Sequence, residues 1–445
     1  MLKRIFLCLL AVILVASCFT SCDSFGAVEQ LLTAPRSGGE LYDIQQALYA
    51  YAGRSVKLHY PRSGDNRTAF IRSDIDGDKV DEAVAFYSVA NVDGLAEIHI
   101  NIIDRTDKGW ASVCDTATGA SGIDKVEIAP LSQTGEPVIA VGAELFSSTA
   151  NQISLFTYSN GRLYTRMKEN YTRFLIGDLA DVGYDQLVLL NVNSTERSAE
   201  AQVYSVGDDY NTLLGAVSVD GNISGVTAFN FGKMLDGRPA LYIDSAKSAA
   251  STITDLVYFN GENLISQFYD KALGETQATL RYNTLVSTDV NGDGVTDIPF
   301  AKLMPGYEDM PADDRMYLTM WRSFDGKKYS DALVADFNYE GGYYFAFPAH
   351  WQDKVTLVYD KTNSMHSYRV WNAELNTAQN EVVRIRRYSA AEFDELENDQ
   401  LIELMRDDNL VWAARIIMTE GDYATDKESV IDCFGNQSIQ TQIRF

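Results

Sequence analysis

Asp289-Val290-Asn291-Gly292-Asp293-Gly294-Val295-Thr296-Asp297 runs without a break into Ile298-Pro299-Phe300-Ala301. An acidic, glycine-containing turn thus feeds a short apolar segment, a pattern that reads as a loop followed by a buried β-strand. The apolar segment has six counterparts along the chain: Ala83-Val84-Ala85-Phe86, Val138-Ile139-Ala140-Val141, Leu187-Val188-Leu189-Leu190, Ala240-Leu241-Tyr242-Ile243, Val355-Thr356-Leu357-Val358 and Val411-Trp412-Ala413-Ala414. Successive starts lie 55, 49, 53, 58, 57 and 56 residues apart. Early runs are followed by two more strand patterns joined by a tight turn, at Lys108-Gly109, Asn160-Gly161, Asn260-Gly261 and Asp325-Gly326, with Val206-Gly207-Asp208 in that role in the third repeat. Asn-Gly and Asp-Gly suit two-residue hairpins, because both turn residues can take positive φ. A strand plus a hairpin at a period of about 50 residues predicts propeller blades, each too small to bury both of its faces alone. The expected fold class is all-β: a β-propeller of seven blades, or of six blades plus a C-terminal α/β cap. Two face-packed sheets with incidental spacing are the competing reading.

Two helices are expected beside the strands. In Glu40 to Ala52, Leu41, Ile44, Leu48 and Tyr51 fall on one helical face and Gly53 is a stop signal. Ser389-Ala390-Ala391-Glu392 is a capping box and predicts a helix over 390–405. The domain expectation is residues 1–22 as a signal segment, 23–54 as tether and helix, and 55–445 as the propeller.

A second acidic loop, Asp74-Ile75-Asp76-Gly77-Asp78-Lys79-Val80-Asp81-Glu82, aligns with the first. Each loop offers side-chain oxygens at positions 1, 3, 5 and 9 and a backbone carbonyl at position 7. A hard cation such as Ca²⁺ takes six to eight oxygens, and alternate residues of a tight loop can turn theirs inward. At these residues the chain resembles the FG-GAP repeats of integrin α-subunit propellers and the VCBS-type repeats of bacterial surface proteins; its overall layout is also similar to bacterial surface lipoproteins. The resemblance implies a seven-bladed propeller carrying one or two Ca²⁺. It implies ligation by Asp289, Asn291, Asp293, the carbonyl of Val295 and Asp297, and by Asp74, Asp76, Asp78, the carbonyl of Val80 and Glu82. Lys79 stands where the pattern has glycine, and Glu82 where it has aspartate. Asp178-Leu179-Ala180-Asp181-Val182-Gly183-Tyr184-Asp185-Gln186 aligns without a gap but has Ala180, Val182 and Gln186 at positions 3, 5 and 9, so three ligands are missing. The loops before Val138, Ala240 and Val355 are also stripped, down to one carboxylate each (Glu136, Asp236 and Asp353).

The N-terminus reads as an export signal. Lys3 and Arg4 precede an apolar stretch over 5–16 that is too short to span a bilayer comfortably. Val15-Ala16-Ser17-Cys18 then resembles the lipobox of bacterial lipoproteins, which implies acylation of Cys18. Phe19-Thr20-Ser21-Cys22 is the alternative, with Phe19 bulky for that position. The expected location is extracytoplasmic, anchored to the membrane through the N-terminal lipid. Cys114 and Cys433 remain, and one pair cannot make a disulfide framework.

A formal charge of −25 over 445 residues repels phosphate backbones, so no nucleic-acid partner is expected. The chain lacks G-x-S-x-G, Walker, H-E-x-x-H and dinucleotide-binding motifs, and His59, His99, His350 and His366 have no zinc spacing. No catalytic residue and no organic cofactor is assigned. Glu308-Asp309 and Asp313-Asp314 read as solvated charge. The aromatic run Tyr343, Tyr344, Phe345, Phe347 and Trp351 reads as packing between sheets, with a ligand surface as the alternative. The preferred functional expectation is a calcium-stabilised module that binds or scaffolds protein or glycan. The alternatives are an envelope carbohydrate-active hydrolase or lyase using funnel carboxylates, and a structural or assembly-factor lipoprotein.

Overall fold

A computed structural model describes residues 39–89, 96–131, 135–146, 148, 150–207, 210–338, 341–396 and 400–436. The signal segment, with Cys18 and Cys22, lies outside them. Strand accounts for 58% of the chain and helix for 8%, so the class is all-β, built from antiparallel meanders of the kind that form β-propeller blades. No helix among the described residues is long and apolar enough to cross a membrane. The chain divides into two compact units, Met1–Asp124 with Tyr158–Tyr164, and Lys125–Thr157 with Thr165–Phe445.

In the first unit, helix α1 (Glu40–Ala52) precedes strands β1 (Val56–His59), β2 (Phe70–Ser73), β3 (Glu82–Val89), β4 (Ile98–Thr106) and the start of β5 (Gly109–Pro130). Strand β3 is buried from Glu82 to Ser88. The uninterrupted apolar run there reflects a strand covered on both faces, which leaves no polar side to alternate. Its first half pairs with β2 (Ser73 opposite Glu82) and its second half with β1 (Val56 opposite Val89), so two short strands share one edge. Strand β4 pairs on the other side, with Val84 opposite Ile102. Helix α1 has the expected bounds but a narrower buried face. Ile44 and Leu48 are fully buried and Ala47 nearly so, against Ala83, Ala85, Tyr87 and Ile103, while Leu41 and Tyr51 at the two ends are exposed. Burying an Ile and a Leu contributes roughly 1.5–3 kcal/mol each. Gly53, at φ 86°, ends the helix where a side chain would be strained.

Strands β6 (Pro137–Leu145), β7 (Asn151–Ser159) and β8 (Arg162–Tyr171) are successive neighbours and belong to the second unit except for Tyr158–Tyr164, which is assigned to the first. At the β7–β8 turn, Asn160 and Gly161 have φ of 52° and 74°, as their hairpin reading requires. Two four-stranded meanders follow. One is β9 (Arg173–Gly177), β10 (Gln186–Asn193), β11 (Ser198–Val206) and β12 (Asn211–Asp220). The other is β13 (Gly225–Lys233), β14 (Pro239–Ser248), β15 (Ser251–Asn260) and β16 (Asn263–Ser266). A small pair, β17 (Tyr269–Asp270) and β18 (Glu275–Thr276), leads into an irregular segment over 277–297. Next come β19 (Ile298–Leu303), β20 (Tyr317–Phe324), β21 (Tyr329–Asn338) and β22 (Tyr343–Ala346), then β23 (Val355–Asp360), β24 (Met365–Asn372) and β25 (Thr377–Ser389). Helix α2 (Ala390–Glu395), strands β26 (Leu401–Arg406) and β27 (Leu410–Ile416), helix α3 (Lys427–Cys433) and β28 (Phe434–Asn436) complete the chain described.

Each of the seven apolar runs falls inside a strand: β3, β6, β10, β14, β19, β23 and β27. The last two share one sheet, of order β23-β24-β25-β27-β26, so the final 56-residue step does not open a separate sheet. The hairpin β26–β27 instead extends the edge of β25, with Ile385 opposite Ala414. The helix expected over 390–405 stops at Glu395. Its capping box does form, with the Ser389 hydroxyl accepting from the Glu392 N–H at 3.1 Å. Leu401 to Arg406, however, gain a full strand ladder against β27, which outweighs a weak helical propensity interrupted by Asn398-Asp399. Strand β28 pairs with β22 and stacks Phe434 on Tyr343 at 5.0 Å.

Tyr343, Phe345, Phe347 and Trp351 are buried in the largest core cluster with Tyr368 and Trp412, so the aromatic run packs rather than lines a ligand surface. The segment over 277–297 is pinned by an ion pair with almost no solvent access. Arg281 bonds Asp244 at 2.8 Å, donates from Nε to the Leu285 carbonyl at 2.8 Å, and exchanges two backbone hydrogen bonds with Thr252. Cys114 and Cys433 are free thiols.

Candidate cation loops and a polar cavity

The two acidic loops share four capping hydrogen bonds. Asp74 accepts hydrogen bonds from the N–H groups of Gly77 (2.7 Å) and Lys79 (2.9 Å), Asp76 from Asp78 (3.2 Å), and Asp78 from Val80 (2.7 Å). Asp289 accepts from Gly292 (2.7 Å) and Gly294 (2.7 Å), Asn291 from Asp293 (3.1 Å), and Asp293 from Val295 (2.8 Å). Each oxygen-bearing residue thus caps the N–H two to five residues on, as Asx-turns do, and the alternate side chains converge. Position 6 requires positive φ in both loops. Gly294 meets this at 83°, and Lys79 at 73° in spite of its side chain.

At the base of each loop sits a fully buried carboxylate. Glu82 accepts from the Ile75 N–H at 2.8 Å, and Asp297 from the Val290 N–H at 3.2 Å. The other oxygen of each, Glu82 Oε1 and Asp297 Oδ1, is buried with no hydrogen-bond partner. Burial, with a smaller contribution from neighbouring carboxylates, pushes Glu82 up to about 7 and Asp297 up to about 6. Burial and the charges of Asp78, Asp104 and Asp74 also raise Asp76. The carboxylate oxygens of Asp74, Asp76 and Asp78 lie within 4.8 Å of one another. In the second loop Asn291 replaces the middle carboxylate, and its amide donates to Asp293 at 3.0 Å. The carboxylates of Asp74, Asp76 and Asp78 are part of the donor set a hard cation fits, whereas Glu82 stands outside that group and Asp289, Asp293 and Asp297 do not form one of their own. Val80 and Val295 stand at the position whose carbonyl would complete it.

The stripped third loop keeps the same course by another means. Gln186 is fully buried at position 9, and its carbonyl oxygen accepts from the Ala180 N–H at 2.9 Å. Its amide nitrogen donates to Asp178 at 3.2 Å and to the Tyr184 carbonyl. These are the oxygens of positions 1 and 7, two that a cation would otherwise hold. Burial opposes ionisation of Asp178, but N–H bonds from Val182 and Gly183 and the Gln186 amide prevail and hold its pKa low. Read from the sequence, Gln186 is only a lost ligand.

The second unit also contains a cavity of about 540 Å³ that no local motif announces. Tyr282 and Tyr317, both on its wall, stack at 5.0 Å with a 32° tilt, and Tyr282 is 54% exposed. Asn283, Arg315, Asn338 and His366 supply polar groups to the same wall. Beneath them Asp336 accepts from His366 Nδ1 at 2.7 Å and from the buried Tyr368 hydroxyl at 2.8 Å. The Asn338 amide nitrogen lies 3.1 Å from His366 Nε2 and can only donate there, which fixes the imidazole as the Nδ1–H tautomer. The other histidines are structural or exposed: His59 bonds Ser88 at 2.8 Å and His99 bonds Asp115 at 2.8 Å.

No protein-family model matches the chain, and no curated protein matches it in sequence. Among solved structures it is similar to the exotype rhamnogalacturonan lyase YesX, at 12% identity and a TM-score of 0.31 over 72% of this chain and 55% of that one. It therefore spans about half of that lyase's length. It is also similar to TolB from Acinetobacter baumannii (13% identity, TM-score 0.25, 66% of this chain and 62% of that one). A third likeness is to the Dos1 propeller (7% identity, TM-score 0.27, 65% and 78%). At such values these likenesses bear on no activity.

Proposed function

We propose that the chain is an extracytoplasmic glycan-binding module, anchored to the membrane through Cys18 or Cys22 and stabilised by one or two Ca²⁺. The cavity beside Tyr282 and Tyr317 carries the glycan reading. An exposed, stacked aromatic pair offers an apolar platform to the face of a sugar ring, and the planar amides of Asn283 and Asn338 with the Arg315 guanidinium suit its hydroxyls. The volume lies within the range of small-ligand sites, roughly 300–1,000 Å³.

A hydrolase or lyase reading is less well supported. Among the described residues Asp336 is the single carboxylate on that wall, whereas glycoside hydrolysis uses a facing pair. His366 has both ring nitrogens engaged, which leaves it no free lone pair to act as a base. Isothermal titration of oligosaccharides selected on a glycan array tests the binding reading. Tyr282→Ala should weaken binding roughly two- to tenfold, the scale of one aromatic contact. Unchanged affinity in that variant would move the site elsewhere, and the absence of any glycan binding would favour the scaffold reading.

Bound Ca²⁺ would supply positive charge where the loops concentrate negative charge. Asp289, Asn291, Asp293 and Asp297 would hold one ion, and Asp74, Asp76, Asp78 and Glu82 the other. Extracellular calcium modules have Kd near 10⁻⁴–10⁻³ M, so at about millimolar Ca²⁺ each site adds roughly 0.4–1.4 kcal/mol. EDTA should lower the melting temperature by a few degrees. Asp293→Ala should remove a large part of that shift, whereas Asp178→Ala should leave it intact. A melting curve indifferent to both EDTA and Asp293→Ala would rule the calcium assignment out.

A further inference from the structure

We propose that a second cleft, between β25, β27 and α2, binds a single oxyanion group such as a sulfate, a phosphate or a carboxylate. The inference is independent of the glycan cavity. The cleft has a volume of about 350 Å³ and is lined by Arg384, Arg386 and Arg415, with Tyr388, Leu396 and Leu401 alongside. Arg384 and Arg386 are two residues apart on β25 and so lie on one face of the sheet. Arg415 on β27 stands directly opposite Arg384, and the small Ala413 stands opposite Arg386. Like charges directly opposite one another repel, so this arrangement costs stability unless something neutralises it.

The chain's own groups neutralise it only in part. Arg384 pairs with Glu381, Arg386 with Glu392 at 3.0 Å, and Arg415 donates to the Gln400 amide oxygen at 2.7 Å. Among the described residues, Glu392 is the single carboxylate of the lining, against three guanidinium groups. The Nε atoms of both Arg384 and Arg386 are buried and have no hydrogen-bond partner. Arginine presents its donors in a planar fork that matches an oxyanion, and an unmet N–H on each of two neighbouring forks is what such a ligand would satisfy. Arg386 is held over the Tyr388 ring at 4.4 Å, which fixes its direction. In a chain of net charge −25 this cluster is a local exception. The surrounding field repels an extended polyanion, whereas a single charged group can still reach the arginines.

A free inorganic ion and the acidic group of a saccharide share this chemistry, and the probes separate them. The full-length chain in non-ionic detergent is titrated with sodium phosphate, sodium sulfate and sodium galacturonate, with ionic strength held constant by NaCl. Saturable binding of at least one probe is expected, and galacturonate alone saturating would identify a sugar-borne carboxylate. Arg386→Gln and Arg415→Gln should each weaken binding roughly tenfold, the scale of one charge-assisted hydrogen bond. Lys327→Gln, an exposed cation in the β20–β21 turn that lines neither cavity, should bind all three probes as the parent does. If Arg386→Gln loses its near-ultraviolet circular dichroism, the exposed Arg415→Gln decides alone. The proposal fails if no probe saturates, or if Arg415→Gln binds as tightly as the parent protein.

Discussion

Arg281→Met is expected to destabilise the protein by about 3–5 kcal/mol, the cost of leaving one member of a buried ion pair alone. Arg281 has no solvent access and Asp244 has 1%. The substitution leaves the Asp244 carboxylate in a low-dielectric site with only the Ser287 N–H and hydroxyl and the Thr254 hydroxyl to hold it. The urea midpoint should fall with little change in slope, because the surface exposed on unfolding barely differs between variant and parent. Arg281→Met combined with Asp244→Leu should cost less than the sum of the two single changes, since the double variant buries no unpaired charge. A loss below about 1 kcal/mol in the single variant would mean that the pair is solvated.

The second large effect belongs to Asp336→Ala. Asp336 is the acceptor for two buried donors, His366 Nδ1–H and the Tyr368 hydroxyl. Each buried donor left without a partner costs about 1–3 kcal/mol, so the variant should lose roughly 2–6 kcal/mol. Tyr368→Phe removes one donor and keeps the acceptor, and should cost only about 1 kcal/mol. The two variants also separate stability from binding. Asp336→Ala frees the His366 ring on the cavity wall and should weaken the glycan contact, whereas Tyr368→Phe should leave it unchanged. Equal effects of the two variants on unfolding would contradict the geometry.

Much of the architecture was legible because a strand covered on both faces must be apolar at every position. That is why Leu187-Val188-Leu189-Leu190 and its counterparts could be read without a structure. The loops were legible because the side chains that cap a tight acidic turn recur at fixed local spacing. The misread helix over 390–405 had the opposite cause. Ser389 and Glu392 specify only a first turn, while the fate of Leu401 to Arg406 is decided by pairing with β27, which no local pattern encodes. The cavity was invisible for the same reason: Tyr282, Tyr317, Asn338 and His366 come from four separate segments and are joined only by the fold. The arginine cleft was half visible. Arg384-Ile385-Arg386-Arg387 stands out in an acidic chain, but Arg415 enters only through strand register.

Gln186 bears on how such loops become independent of their surroundings. Its side chain bonds the Asp178 carboxylate, the Tyr184 carbonyl and the Ala180 N–H, so the turn is stapled by an atom that belongs to the chain. A donor that is covalently attached has no dilution cost and cannot be chelated away, so this turn is blind to the ionic composition outside. On the proposed calcium reading, a turn built on a buried carboxylate would instead report that composition, because its last bond would come from solution. One residue at the ninth position would then set whether a blade behaves as a fixed strut or as a gauge.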